Sequence, residues 1–242
     1  MSEQDYDEKI FLARMAEQAE RYDDMVDHLK SALDVKTDDL STDERNLVSV
    51  GFKNWIGSRR TALRNIQYVG QNPKYQCFSG GLNTYKERIE GELYDQCKDI
   101  IKTIEDKLIP KTGSNNESKA FFYKMIGDYY RYIAESAKDE RLTEVSNGAT
   151  DNYDLAKTEC ESLESYNPIK LGLALNFSVF YFEVKNDKPA AIELADAAYS
   201  EAKDKIQDAD EEIYRESKGI LELIKENLDL WKEEEGEGAD PQ

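Results

Sequence analysis

Histidine occurs once in these 242 residues, cysteine three times and proline five times. Each shortage removes a class of function. The one histidine, His28, cannot supply the two Glu-x-x-His pairs of a di-iron bundle. Cys77, Cys97 and Cys160 stand too far apart for a zinc site. A thiol phosphatase loop wants arginine six positions after its nucleophile, and those positions hold Asn83, Thr103 and Tyr166. No glycine-rich phosphate loop of the Walker type is present. The chain is therefore read as non-enzymatic, with no cofactor and no metal. An odd number of widely spaced cysteines fits free thiols in a reducing compartment.

Long hydrophobic runs are also missing. The longest nearly apolar stretch, Leu171 to Phe182, includes Asn176 and Ser178 and falls short of the ~20 residues a spanning helix needs. The opening MSEQDYDEK has no basic segment followed by an apolar one, so no targeting signal is read there. A formal net charge of −19 argues against nucleic acid and against an anionic membrane as partner, since both require a broad basic surface. The expected location is the cytoplasm, with the nucleus also open to it.

The most informative absence is local. From Arg45 to Lys86 there is no acidic residue, although Asp and Glu make up 51 of the 242 positions and about nine would fall there at the chain average. The same window carries Arg45, Lys53, Arg59, Arg60, Arg64, Lys74 and Lys86. An acidic protein that clears one segment of carboxylates is keeping a place for an anion.

What is abundant is helical pattern, with no alternating Val/Ile/Thr runs of the kind strands require. Two helices are expected over residues 5–35, joined near RYDDM. Ser41-Thr-Asp-Glu44 is a capping box ahead of a helix to about Tyr68. GQNP (Gly70 to Pro73) and FSGG (Phe78 to Gly81) read as breaks, and a further helix over Leu82 to Ile109 stops at Pro110. A second capping box, Ser114-Asn-Asn-Glu117, opens a helix to about Lys138. Thr143 to Thr150 reads as a loop, and helices then follow from about Asp151, Pro168, Pro189 and Asp210, the last to Lys232. The fold class is all-α, about nine antiparallel helices in one domain over residues 1–232. Residues 233–242 are read as a disordered acidic tail.

Four constellations stand out. Lys53, Arg60 and Arg64, at i, i+7 and i+11, share one helix face. A solvated basic face is the ordinary explanation, weakened here because the segment offers no carboxylate for i, i+4 pairing. Lys124, Arg131 and Tyr132 lie in KMIGDYYRY, where Asp128 at i+4 from Lys124 could make a plain surface pair. The alternative is that Arg131, with paired N–H donors, and Tyr132, with its O–H, meet a phosphate-like dianion beside the first face. In LGLALNFSVFYFEV, Leu175 and Val179 read as core, yet Asn176 must find partners, and Glu183 follows at i+7. Leu223, Asn227, Leu230 and Trp231 repeat that pattern in the last helix. An Asn offering donor and acceptor amid apolar residues suits the backbone of an extended peptide.

These blocks in their order closely resemble the 14-3-3 family of phosphopeptide-binding adaptors. The resemblance is carried by AEQAERYDDM, ERNLVSV, FKNWIGSRR, ESKAFFYKMIGDYYRYIAE, NPIKLGLALNFSVFYFEV and ENLDLW, from about residue 12 to 231. It implies a cup-shaped homodimer, with heterodimers among relatives open to it, and one amphipathic groove per subunit. That groove would read phosphoserine or phosphothreonine in client proteins. By the resemblance, Lys53, Arg60, Arg131 and Tyr132 contact phosphate, and Arg64 and Lys124 flank them. Asn176 and Asn227 hold the ligand backbone. Leu175, Val179, Ile220, Leu223, Leu230 and Trp231 form the apolar wall, with Glu183 beside it. Arg21 with Glu92 and Asp24 with Arg88 would pair across the dimer, where Met15, Ala19 and Tyr85 fill apolar positions.

The chain departs from the family pattern at Phe52, Trp55, Ala62 and Leu63, at Ser217-Lys218-Gly219, at Asp229 and over Gly70 to Gly81. These positions bear on dimer strength and the far end of the groove rather than on the phosphate ligands. The competing reading is a phosphate-independent, tetratricopeptide-like helical scaffold that takes acidic or amphipathic segments.

Overall fold

Residues 3–237 are described by a computed structural model, with side chains over 4–234. Among the described residues the chain forms nine α-helices and no strand. It divides into two compact units, Met1–Ser118 and Lys119–Gln242.

In the first unit, α1 (Glu3–Gln18) packs on α2 (Tyr22–Val35), α2 on α3 (Thr42–Gly70) and α3 on α4 (Ser79–Thr103). The α1–α2 join is a tight turn in which Glu20 takes φ +55°. Ala13 and Ala16 are buried, and their small side chains let α1 lie close to α2. The expected capping box at α3 is present: Glu44 N–H donates to Ser41 Oγ at 3.3 Å, and Ser41 N–H donates to the Glu44 carboxylate at 2.7 Å. At Gly51 a Cβ would lie 2.6 Å from Leu29 Cδ1, so this glycine sets the approach of α2.

Two expectations change here. GQNP does end α3, but a 3-10 turn over Pro73–Phe78 follows, and FSGG opens α4 instead of breaking the chain. Before Pro110 the expected continuous helix loosens. The α form ends at Thr103, a π turn spans Ile104–Leu108, and a 3-10 turn spans Ile109–Lys111. Pro110 has no N–H to continue the α ladder, and this stretch precedes the stop.

The unit boundary falls in the first turn of α5 (Asn116–Ala134). Asn115 caps that helix by accepting from Ser118 N–H at 3.1 Å, a role the sequence pattern assigned to Ser114. In the second unit follow α6 (Asp139–Glu159), α7 (Pro168–Glu183), α8 (Lys188–Ala202) and α9 (Glu211–Glu237). Asn167, Asp187 and Asp210 cap the last three through backbone N–H groups at 2.9–3.1 Å.

The loop expected at Thr143 to Thr150 is in fact the middle of α6. Thr143, Glu144 and Asn147 face outward, and Thr150 Oγ1 bonds back one turn to Ser146 O at 2.9 Å. Val145, Ser146 and Ala149 are buried, and tertiary packing thus overrides a polar local sequence. The last helix runs to Glu237, five residues past its expected end. The remainder of the expected tail, 238–242, lies outside the described residues.

α7 is apolar nearly all round because it serves two core clusters. Leu171 joins Ala191, Ala195, Leu221, Ile224, Leu228 and Trp231 from α8 and α9. Leu173, Phe177 and Phe180 join Ala120, Ala149, Tyr153 and Ala156 from α5 and α6. On the exposed side of α9, Gly219 has nothing within 4 Å of an added Cβ. Gly219→Ala is therefore expected to raise stability by about 0.5–1 kcal/mol, seen as a higher Tm. A lower Tm would mean that this turn needs its glycine.

Candidate ligand-binding site

The candidate residues fall in both units. In the first, α3 carries Lys53 and Arg64 exposed and Arg60 half-buried. At 100° per residue, positions i, i+7 and i+11 lie within about 20° of one direction, so the three cations share a stripe. Lys53 pairs with no carboxylate among the described residues. The neighbouring Arg59, off that stripe, reaches Glu92 of α4 at 3.6 Å. The absence of acid along the segment thus keeps Lys53 unneutralised, while Arg45, Trp55 and Arg59 meet Glu117, Asp23 and Glu92 of other helices.

In the second unit, α5 carries Lys124, Arg131 and Tyr132, and their organising group is Asp128. The residue is 7% exposed. Its Oδ2 accepts from Lys124 Nζ at 2.9 Å, and its Oδ1 accepts from the Tyr153 hydroxyl of α6 at 2.7 Å. Asn176 of α7 donates its amide nitrogen to both oxygens, at 2.8 and 3.0 Å. Arg131 Nη2 lies 3.9 Å from Asp128 Oδ1, its Nε donates to Tyr153 Oη at 3.4 Å, and its guanidinium covers the Tyr132 ring at 4.7 Å. Burial alone would raise the Asp128 carboxyl. The charges of Lys124 and Arg131 and the hydrogen bonds from Tyr153 and Lys124 outweigh it and hold the group below the usual carboxylate range. Burial likewise works against the Arg131 guanidinium, but Tyr153, Asp128 and Tyr132 hold it above its ordinary value.

Of the two readings of Lys124, the structure bears on the ion pair alone. It does pair with Asp128, and that pair belongs to a buried network rather than a plain surface. Tyr153 was not legible as a member, because most of the α6 turns that precede it were read as a loop. Its one trace in sequence is Gly127, where a Cβ would lie 2.6 Å from the Tyr153 ring.

Helix α9 carries two parallel stripes. Leu221, Ile224, Leu228 and Trp231 are buried, and the Trp231 indole stacks on Phe182 of α7 with centroids 4.7 Å apart. Ile220, Leu223, Asn227 and Leu230, on the neighbouring stripe, are partly buried to exposed, Leu223 and Leu230 by about half. On α7, Leu175 and Val179 pack partly buried on the same cluster, and Glu183 is exposed. An apolar stripe left uncovered beside a buried one, with one Asn in it, is a surface suited to an extended chain.

The family model described as "14-3-3 protein" matches residues 12–232. The chain belongs to the 14-3-3 family. It is 42% identical over 231 residues to "14-3-3 protein 2" of Entamoeba histolytica, covering 94% of this chain and 96% of that one. It is 45% identical over 237 residues to a "14-3-3-like protein" of Fucus vesiculosus, covering 97% and 93%. It is also 42% identical over 229 residues to "14-3-3 protein I" of Plasmodium falciparum, covering 91% and 87%. Membership supports an adaptor role. Among the described residues no helix is long and apolar enough to cross a membrane.

In this 14-3-3 protein the residues named for a dimer all lie in the first unit. Met15, Ala19 and Tyr85 are exposed. Arg21 pairs with Asp24 of its own chain, and Arg88 lies 3.6 Å from Glu92 with its guanidinium over Tyr85 at 5.0 Å. The four charges expected to pair between subunits are therefore paired within one. Of the departures, Phe52 and Leu63 are buried core residues. Trp55 is accommodated by α2: its indole N–H donates to Asp23 at 2.7 Å and Lys30 Nζ lies over its ring at 4.9 Å.

Proposed function

We propose that this 14-3-3 protein is a non-catalytic adaptor that binds phosphoserine or phosphothreonine segments of client proteins and regulates them by masking, clamping or bridging. The observation that carries the reading is the acid-free run of α3, which presents Lys53, Arg60 and Arg64 along one stripe in a chain of net charge −19. On this reading Lys53 and Arg60 join Arg131 and Tyr132 around the phosphate, and Asn176 and Asn227 take the peptide backbone. The apolar stripes of α7 and α9 would supply the apolar wall of the groove. A phosphate near −2 needs several cationic donors to replace its hydration, and a neutral serine leaves them unpaired, so discrimination follows from the ligand set. Contacts to the backbone are indifferent to side chain and permit many clients in the cytoplasm or nucleus.

The test is fluorescence anisotropy with a labelled peptide of the Arg-Ser-x-pSer-x-Pro type beside its unphosphorylated twin. Tight binding of the phosphorylated form alone is expected. Equal binding of both would favour the phosphate-independent scaffold.

The adaptor is further proposed to act as a homodimer, which makes it bivalent toward doubly phosphorylated clients. In the dimer Arg21 and Asp24 would exchange their partners in the chain for Glu92 and Arg88 of the other copy. Glu92→Arg is expected to shift the dimer toward monomer in sedimentation, and Arg21→Glu added to it to restore dimer in part. Because Glu92 also faces Arg59 and Arg88 of its own chain, the rescue is the decisive reading. A double variant no more dimeric than the single one would sink the exchange.

A further inference from the structure

We propose that Asp128 is the positioning residue of the ligand site, its buried carboxylate fixing how Arg131, Asn176 and Lys124 face the bound segment. This rests on the phosphopeptide reading above. One carboxylate gathers donors from three helices: Lys124 of α5, Tyr153 of α6 and Asn176 of α7. A carboxylate only accepts hydrogen bonds, so the Asn176 nitrogen must face it and the amide carbonyl oxygen must turn the other way. The contact reaches both oxygens, at 2.8 and 3.0 Å, and so restrains the amide plane as well. An Asn that is to read a peptide backbone needs its two ends assigned before the ligand arrives, and Asp128 assigns them.

Arg131 is fixed through the same group. Tyr153 donates to Asp128 and accepts from Arg131 Nε, which makes its hydroxyl a link between carboxylate and guanidinium. The Tyr153 ring is itself held, stacked on Phe177 at 4.9 Å and admitted by the missing side chain of Gly127.

Judged as charge alone, Asp128 works against the site. A negative group about 4 Å from Arg131 subtracts from the potential that would attract a phosphate. Electrostatics and orientation therefore predict opposite signs when the charge is removed. If Asp128 serves only to neutralise buried cations, Asp128→Asn tightens phosphopeptide binding. If it orients them, the same change weakens binding although the site has become more positive.

The experiment titrates the labelled phosphopeptide and its twin against the parent, Asp128→Asn, Asn176→Ala and the double variant, with circular dichroism to report folding. Asp128→Asn is expected to weaken phosphopeptide binding about tenfold. Asn176→Ala is expected to cost about tenfold in the parent but less than about twofold on the Asp128→Asn background, because the amide has already lost its setting. General destabilisation would not produce that coupling. Tyr153→Phe removes one hydroxyl and keeps the stacked ring, so it decides the matter if Asp128→Asn fails to fold. It is expected to weaken binding about threefold. Binding by folded Asp128→Asn or by Tyr153→Phe as tight as the parent's, or an equal Asn176→Ala loss in both backgrounds, would overturn the proposal. A parent that does not distinguish the peptides would overturn the phosphopeptide reading and this proposal with it, and the parent titration alone reports that.

Discussion

Lys53→Glu is expected to weaken phosphopeptide binding by at least about 100-fold while leaving helicity and Tm nearly at parent values. On the phosphopeptide reading, the change replaces a cation facing a dianion with an anion. Two unit charges about 4 Å apart at an effective dielectric of 20 interact by roughly 4 kcal/mol, and each 1.4 kcal/mol is a factor of ten. Loss of one attraction and gain of one repulsion therefore exceeds two factors of ten even after generous screening. Stability should not follow. Lys53 is exposed and pairs with no carboxylate among the described residues, and such surface changes usually stay within about 0.5 kcal/mol. Anisotropy and thermal circular dichroism on one preparation separate the two effects. A large fall in Tm, or binding near the parent's, would remove Lys53 from the ligand set. Lys53→Met should fall between parent and Lys53→Glu, since it deletes the attraction without adding the repulsion.

The helices were legible where their ends carry chemistry. Ser41 with Glu44, Asn167 before Pro168 and the pair Asn186 or Asp187 before Pro189 each announce a start, and Ser41, Asn167 and Asp187 do the capping. Legibility failed where packing decides. In TEVSNGAT, within α6, the information that makes a helix is not local. It lies in Tyr130, whose ring sits within 3.0 Å of where a Gly148 Cβ would be, and in the core that receives Val145 and Ala149. FSGG misled for a related reason: glycines in a first helical turn cost conformational entropy but do not forbid the helix.

The candidate residues were legible in a similarly divided way. Lys53, Arg60 and Arg64 follow from spacing and from missing acid, both properties of one segment. Asn176 could be singled out because an Asn inside an apolar run needs partners. That its partner is Asp128, 48 positions earlier, could not be read, because nothing in either segment points to the other. Trp231 falls on the buried stripe of α9 rather than on the half-exposed one. The i, i+4, i+7, i+8 spacing that grouped it with Leu223, Asn227 and Leu230 spans two neighbouring stripes, and only packing shows where one ends.

That division of α9 sets the second large effect. Trp231→Ala is expected to destabilise the protein by about 3–5 kcal/mol, the usual loss for deleting a buried large aromatic. Trp231 is 4% exposed, stacks on Phe182 and shares its cluster with Leu171 of α7 and Ala195 of α8, so its removal opens a cavity where three helices meet. At roughly 2–4 °C per kcal/mol for a chain of this size, Tm should fall by about 10 °C. Leu223→Ala and Leu230→Ala on the adjacent stripe should do the reverse. Both side chains are about half exposed, so their loss moves Tm little, yet on the adaptor reading they form the apolar wall and peptide affinity should drop by several fold. The two stripes thus separate what holds α9 from what α9 offers a ligand. A Trp231→Ala protein that melts like the parent would mean α9 is anchored elsewhere. Leu223→Ala and Leu230→Ala proteins that bind like the parent would mean the exposed stripe does not meet the client. Because Trp231 and Asn227 ride on one helix, the Trp231 variant should also lose affinity, in proportion to how far α9 has loosened from Phe182 and α7.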